Sequence, residues 1–192
     1  MNRYITYALI ISLLAMCQAG CIFDPREAED PAGEDDTCWI PPNAPTDVFS
    51  NLDCGLGSAG NSSYERSLDP DFVFIPRPGY DGPGNFEEWD FTQEMDFVTK
   101  LKGDYQGERS IRFGDAEGRF ERWDVATSDA TYWGEYRITL DSGTGTDPDI
   151  FAGKAEFHIV RGTKGWVIKK WEDYDVVDSF PTSANIRGSY QQ

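Results

Sequence analysis

Apolar and polar residues alternate along residues 151–175, and this pattern predicts a hairpin of two long strands. Ala155, Phe157 and Ile159 occupy every second position, with a charged or polar residue between each pair. Residues 162–165 contain two glycines and can therefore form the tight turn, because glycine adopts positive φ at little steric cost. The sequence predicts a sheet with this hairpin at its centre.

Two tryptophans, Trp166 and Trp171, lie on the second strand of the hairpin. Side chains alternate between the two faces of a strand, so residues an odd number of positions apart point to opposite faces. We therefore expect Trp166 to lie in the core and Trp171 to be partly exposed on the outer face of the sheet. A bulge near Lys169 and Lys170 would instead turn both rings inward.

Helical periodicity precedes the sheet. The first predicted helix begins at Thr46, is interrupted by glycines, and has four apolar residues at helical spacing: Val48, Phe49, Leu52 and Leu56. A second, short helix is predicted from the possible capping box of Ser62 and Glu65. A third follows Asp90, which can form a capping box with Gln93.

The remaining apolar segments predict strands: 72–75, 110–113, 119–125, 131–140 and a terminal edge strand at 186–190. Helices followed by a run of strands indicate the α+β class. The predicted architecture has N-terminal helices packed against a curved, mainly antiparallel sheet. The folded domain is predicted to span residues 46–192.

Residues 1–20 have the features of an export signal. Arg3 precedes an uncharged apolar run, residues 4–16, which is shorter than the roughly twenty residues that a membrane-spanning helix needs. An ordinary secretory signal is one interpretation of this segment. The residues at its end favour another.

Ala19 and Gly20 precede Cys21, and small residues in this position resemble the lipobox of bacterial lipoproteins. The resemblance implies that the signal is cut before Cys21, that the Cys21 thiol is lipidated, and that the protein is anchored in the bacterial envelope. Cys17 is a competing candidate for the lipidated residue. Because Ile22 rather than Asp follows Cys21, we expect the outer membrane.

Acidic residues dominate the composition. The chain has 17 Lys and Arg against 34 Asp and Glu, a formal net charge of −17. Such a surface repels nucleic acid and anionic lipid, which argues against both as direct partners. Residues 21–45 are acidic and rich in proline, and they lack the apolar surface needed to fold, so we expect an extended tether.

Cys38 and Cys54 are predicted to form a disulfide. They are the two cysteines that remain once the signal is removed and Cys21 is lipidated, and an exported chain meets an oxidising compartment. A metal site is disfavoured, because two thiols without a nearby histidine make a poor ligand set. We predict no metal and no cofactor.

Several sequence motifs together resemble the nuclear transport factor 2-like superfamily, whose α+β fold forms a cone. The motifs are Asn-Leu at 51–52, Tyr64, Leu-Asp-Pro-Asp-Phe-x-Phe at 68–74, the helix after Trp89, Gly-Trp-x-Ile-x-x-Trp-x-Asp at 165–173, and Ile-Arg-Gly-x-Tyr at 186–190. The resemblance implies helices that close over a curved sheet. It also implies two classes of function, since the superfamily contains isomerases and dehydratases of the polyketide cyclase type as well as non-catalytic binding modules.

No catalytic constellation is evident, and we assign no catalytic residue. His158 is the single histidine, and it alternates with Phe157 and Ile159, so we expect it on the outer face. Three acids near apolar strands are candidates for burial with a raised pKa: Asp71, Asp124 and Asp173.

Aromatic residues give two further interpretations. Five of them either line a pocket for a small apolar ligand or fill the core: Tyr64, Trp89, Trp123, Tyr136 and Trp166. We therefore expect an envelope lipoprotein whose cone binds a small ligand or a protein partner without catalysis. The alternatives are an enzyme of the polyketide cyclase type and a structural module that assembles, for example as a homodimer, through the outer face of the sheet.

Overall fold

The computed structural model describes residues 38–87 and 89–191. The predicted signal, the lipidated Cys21 and most of the tether lie outside these residues. The helices are α1 (Asp47–Gly57), α2 (Ser62–Arg66), α3 (Phe91–Asp104) and α4 (Ser183–Ser189). The strands are β1 (Leu68–Ile75), β2 (Arg109–Phe113), β3 (Arg122–Val125), β4 (Asp129–Leu140), β5 (Asp149–Gly162) and β6 (Gly165–Val176).

The strands form one 6-stranded sheet in the order β1-β6-β5-β4-β2, with β3 also paired to β4. Strand β1 is parallel to β6, and the other pairs are antiparallel. Strands β2 and β3 pair with successive parts of β4, while β5 pairs along its whole length. The predicted α+β class and the mainly antiparallel sheet are confirmed.

The long hairpin contains a bulge that decides where its tryptophans point. His158 pairs with Lys170 and Ile159 pairs with Ile168, which leaves an extra residue on β6. Trp166 and Trp171 are therefore both buried, with 5% and 1% of their surface exposed. The expectation that Trp171 lies partly exposed is wrong, and the alternative of a bulge that turns both rings inward is confirmed.

The N-terminal helices follow the predicted pattern. The four apolar residues of α1 are buried, and α3 begins with the predicted capping box of Asp90 and Gln93. The predicted cap at Thr46 and the predicted capping box of Ser62 and Glu65 are wrong, because neither α1 nor α2 has a side-chain cap and the residue before α2 is Asn61. A Cβ at Gly55 would lie 2.2 Å from the backbone nitrogen of Tyr64, so glycine lets α1 and α2 pack closely.

The predicted terminal strand at 186–190 is wrong, because these residues belong to helix α4 and the residue that ends it. Asn185 accepts a hydrogen bond (2.9 Å) from the backbone N–H of Thr182, which satisfies a donor at the start of the helix. Ala184 and Ile186 are buried in the core, so the helix is held by packing as well. The predicted strand at 119–125 is shorter than expected, since residues 119–121 are not in a strand and β3 begins at Arg122.

Cys38 and Cys54 are joined by a disulfide with their Cα atoms 5.8 Å apart, as predicted. This bond ties the segment before α1 to the last turn of that helix. Within residues 38–87 and 89–191, every helix falls short of the length and apolarity needed to span a bilayer.

Candidate functional site

A buried ion pair lies between the helices and the inner face of the sheet. Glu94 on α3 and Arg187 on α4 have 0% and 1% of their surface exposed. The Nε of Arg187 donates to Oε2 of Glu94 (2.8 Å), and its Nη2 donates to Oε1 (2.7 Å). This bidentate geometry is the strong form of an arginine–carboxylate contact.

Two more donors reach the same carboxylate. The hydroxyl of Tyr64 donates to Oε1 of Glu94 (2.7 Å), and Nε1 of Trp89 donates to Oε2 (2.8 Å). Burial and the Glu94 charge hold the pKa of Tyr64 well above its usual range, so the phenol stays protonated as a donor. Each oxygen of Glu94 therefore accepts two hydrogen bonds within the core.

Aromatic rings surround the cation. The guanidinium carbon of Arg187 lies 4.2 Å, 4.6 Å and 5.2 Å from the ring centroids of Phe74, Trp171 and Phe97. Ring faces attract cations, so these contacts add to the ion pair. Burial lowers the pKa of Arg187, but the charge of Glu94 outweighs this, and the pKa lies above its ordinary value.

A second buried cluster is centred on Asp173. Its Oδ2 accepts from the hydroxyls of Tyr136 (3.0 Å) and Ser183 (2.9 Å), and its Oδ1 accepts from Nε1 of Trp171 (2.9 Å). The Tyr136 oxygen in turn accepts from the backbone N–H of Ser183 (2.8 Å). Burial raises the pKa of Asp173, although the nearby Arg187 and the three donors oppose the shift.

These clusters place carboxylates beside aromatic hydroxyls, which is the arrangement an acid–base enzyme of the polyketide cyclase type would require. Their hydrogen-bonding groups are, however, used by one another. Within the described chain, no buried side-chain nitrogen or oxygen lacks a hydrogen-bond partner. The buried polar side chains thus bond to groups of the protein itself, as is typical of a protein core.

An open cavity of about 390 Å³ lies elsewhere, between α1 and β2. Its apolar lining consists of Phe49, Ile111, Phe113 and Phe120, and its polar lining of Thr46, Ser50, Asp53, Ser110 and Arg112, with Gly118 at its edge. Helix α1 supplies one wall through residues one turn apart, and β2 with the loop after it supplies the other. Neither buried carboxylate, Glu94 or Asp173, lines this cavity.

Asp53 connects the two walls of the cavity. Its Oδ1 accepts a hydrogen bond (2.8 Å) from the backbone N–H of Ile111, on the edge of β2 that faces away from β4. Asp53 is exposed at the rim of the cavity, and the partial burial of its carboxyl raises its pKa. The hydrogen bond from the Ile111 N–H opposes this rise in the pKa of Asp53, and the negative charge of Glu108 adds to the rise.

The aromatic residues singled out from the sequence are dispersed. Tyr64, Trp89 and Tyr136 belong to the buried clusters. Trp166 is buried near the segment before α1, where its Nε1 donates to the Asn43 carbonyl (3.2 Å). Trp123 is 62% exposed on β3.

The candidate acids and the histidine also separate. Asp173 is buried, whereas Asp71 and Asp124 are exposed, and Asp71 lies 3.8 Å from Lys169. His158 alternates with two fully buried residues on β5 and is half-buried on the opposite face. Among the described residues, no group of three or more His, Cys, Asp or Glu side chains is placed to hold a metal ion.

Sequence reasoning missed Glu94, Arg187 and Asp53. A signal existed for Glu94, because it lies at helical spacing from Val98 and Leu101 on the apolar face of α3. A charged residue on that face suggests a buried partner. Asp53 gave no comparable signal, since its role depends on the edge of β2.

No family model matches the chain, and no curated protein matches it. Solved structures do. A protein from Novosphingobium aromaticivorans with the provisional name aromatic ring hydroxylase is 12% identical, with 74% of this chain and 92% of that chain covered and a TM-score of 0.56. A conserved protein from Planctomyces limnophilus is 14% identical, with 67% and 91% covered and a TM-score of 0.53.

A nuclear transport factor 2-like superfamily protein from Salmonella enterica is also similar. It is 13% identical, with 70% of this chain and 89% of that chain covered and a TM-score of 0.48. At identities this low, the two likenesses above a TM-score of 0.5 establish a shared fold and nothing about activity.

Proposed function

We propose that the protein is a non-catalytic envelope lipoprotein that binds a small ligand in the cavity between α1 and β2. One observation carries the proposal: the polar groups inside the domain are satisfied by one another, whereas the cavity is open and lined by both apolar and polar side chains. Ligand sites combine an apolar lining with a few polar groups in this way.

A catalytic function is a weaker candidate. The Tyr136–Asp173 pair has the chemical groups of an acid–base site. A substrate would have to displace three hydrogen bonds to reach Asp173, and the donors left behind would lose their acceptor. An unpaired buried polar group costs about 1–3 kcal/mol, so the closed cluster supports the fold better than it supports turnover.

Self-association is a second candidate function, favoured by the exposed residues of β3. Trp123 and Val125 are 62% and 48% exposed, and β3 pairs with β4 along one edge. An exposed apolar edge strand is a template for pairing with another chain. Sedimentation of the wild type and of Trp123→Ser would test this, with a dimer that dissociates in the variant as the supporting result.

The anchoring part of the proposal rests on Cys21 and the small residues before it. One lipid chain binds a membrane marginally and several bind it stably, so a lipidated chain should sediment with membranes. In Cys21→Ser we expect soluble protein or unprocessed precursor, with Cys17→Ser as the matched control. If Cys21→Ser is processed and recovered with membranes as the wild type is, anchoring through Cys21 is wrong.

The cavity can be tested with a fluorescent apolar probe, N-phenyl-1-naphthylamine. Ser50 is exposed and lines the cavity, so Ser50→Trp should fill it without disturbing the core. The matched control is Thr92→Trp, on the exposed surface of α3. We expect the wild type and the control to bind the probe and Ser50→Trp to lose binding. Equal probe fluorescence from all three proteins would contradict the proposal.

A further inference from the structure

Only one of the two oxygens of the Asp53 carboxylate accepts a hydrogen bond within the described chain. Its Oδ1 accepts the bond from the Ile111 N–H (2.8 Å), and no donor in the described chain binds Oδ2. Asp53 is exposed at the rim of the cavity. A carboxylate oxygen without a donor from the protein is free to accept a hydrogen bond from a ligand.

Phenyl rings form the apolar part of the same cavity. The ring centroid of Phe49 lies 4.7 Å from that of Phe113 and 4.8 Å from that of Phe120. Such rings offer an apolar surface for the body of a ligand. A volume of about 390 Å³ lies within the range of small-molecule sites.

The charges around the cavity also favour a cation. Glu108 is close enough to raise the pKa of Asp53, and the whole chain carries a formal net charge of −17. Arg112 is the cation of the lining, but it is exposed and alternates with the buried Ile111 and Phe113 on β2. Solvent therefore screens its charge. A negative surface raises the local concentration of cationic ligands and repels anions.

We propose that the cavity binds a small organic cation, with its ammonium group on Oδ2 of Asp53 and its apolar body against Phe49, Phe113 and Phe120. This inference rests on the proposed function, since it requires that the cavity bind a ligand. It specifies the chemical class of that ligand.

The test compares three probes of one size: benzylammonium, benzyl alcohol and benzoate. Calorimetric titration of the full chain in detergent gives the affinity for each. We expect benzylammonium to bind roughly tenfold more tightly than benzyl alcohol, as a charge-assisted hydrogen bond predicts, and benzoate to bind most weakly. Asp53→Asn keeps an acceptor for the Ile111 N–H and should abolish the preference for the cation. Asp96→Asn, on the exposed surface of α3, should leave it unchanged.

The outcomes separate this inference from the proposed function. If benzyl alcohol or benzoate binds as tightly as benzylammonium, the cavity binds ligands but the cation class is wrong. If no probe binds at millimolar concentration, both proposals fail. If Asp53→Asn does not fold, the order of the three probes on the wild type decides, and Ser50→Trp shows whether they bind in the cavity.

Discussion

Removal of the cation from the buried ion pair is predicted to destabilise the domain strongly. In Arg187→Met the side chain keeps much of its volume but loses the two bonds to Glu94 and the contacts of the charge with three rings. The Glu94 carboxylate then remains buried with only the Tyr64 and Trp89 donors. Breaking a buried pair on one side costs about 3–5 kcal/mol. That is a large share of the roughly 5–15 kcal/mol by which domains are stable.

The reciprocal change, Glu94→Gln, should have a similar effect for the opposite reason. The guanidinium of Arg187 would stay buried without a counter-charge, and the amide nitrogen of glutamine would face another donor. The double variant contains no buried charge at this position. We therefore expect its loss of stability to be smaller than the sum of the two single losses by about 2–3 kcal/mol.

Urea denaturation followed by tryptophan fluorescence measures these free energies, since Trp89 and Trp171 lie beside the pair. Glu156→Gln is the control. Glu156 pairs with Lys170 (3.0 Å) on the partly exposed outer face, so its loss should cost less than about 1 kcal/mol. A loss below about 1 kcal/mol for Arg187→Met, or single losses that simply add, would refute the reasoning.

Three other measurements address the core and the disulfide. Trp171→Ala and Trp166→Ala should each lower the free energy of unfolding by about 3–5 kcal/mol, because both rings are buried; a near-neutral Trp171→Ala would contradict the inward orientation of that ring. Reduction of the Cys38–Cys54 disulfide should lower it by about 3 kcal/mol, and two thiols that react with a labelling reagent before reduction would show that the bond is absent. Folding raises the pKa of Asp173. The stabilisation that this residue gives the fold is therefore complete below its unfolded pKa, which is about 4, and is lost as the pH rises through its folded pKa. The stability advantage of the wild type over Asp173→Asn should therefore shrink in denaturant melts from acidic to neutral pH, and a constant or growing advantage would be inconsistent with a raised pKa.

Local signals in the sequence were sufficient for most elements. The capping box of Asp90 and Gln93 predicted the start of α3, and the two glycines near 162–165 predicted the turn of the long hairpin. These features depend on residues a few positions apart. A sequence pattern captures them because the physical interaction is itself local.

Features that depend on distant partners were harder to predict. The bulge on β6 is defined by its pairing with β5, so strict alternation assigned Trp171 to the wrong face. The segment 186–190 is short, and it contains residue types that occur in strands as well as in helices. Their helical state follows from the packing of Ile186 and from the contact of Arg187 with Glu94.

The candidate site was almost invisible in the sequence. Asp53 looks like any polar residue of an amphipathic helix, and its significance comes from the N–H of Ile111 on an edge strand. Among the five aromatic residues considered for a pocket, none lines the cavity. A cavity between a helix and a sheet edge is created by tertiary packing, which periodicity does not encode.

Glu94 and Arg187 are 93 positions apart in the chain. Strand β1 can form its parallel pairing only after β6 has been synthesised. A contact between residues so far apart in the chain requires a long loop to close before the contact stabilises the fold. Contacts of this kind slow folding. During synthesis Glu94 emerges well before the cation that neutralises it, so the nascent α3 carries an uncompensated charge on its apolar face. That charge opposes premature collapse of the helix onto an incomplete sheet. The buried charge of Glu94 therefore has its partner only once α4 has been synthesised.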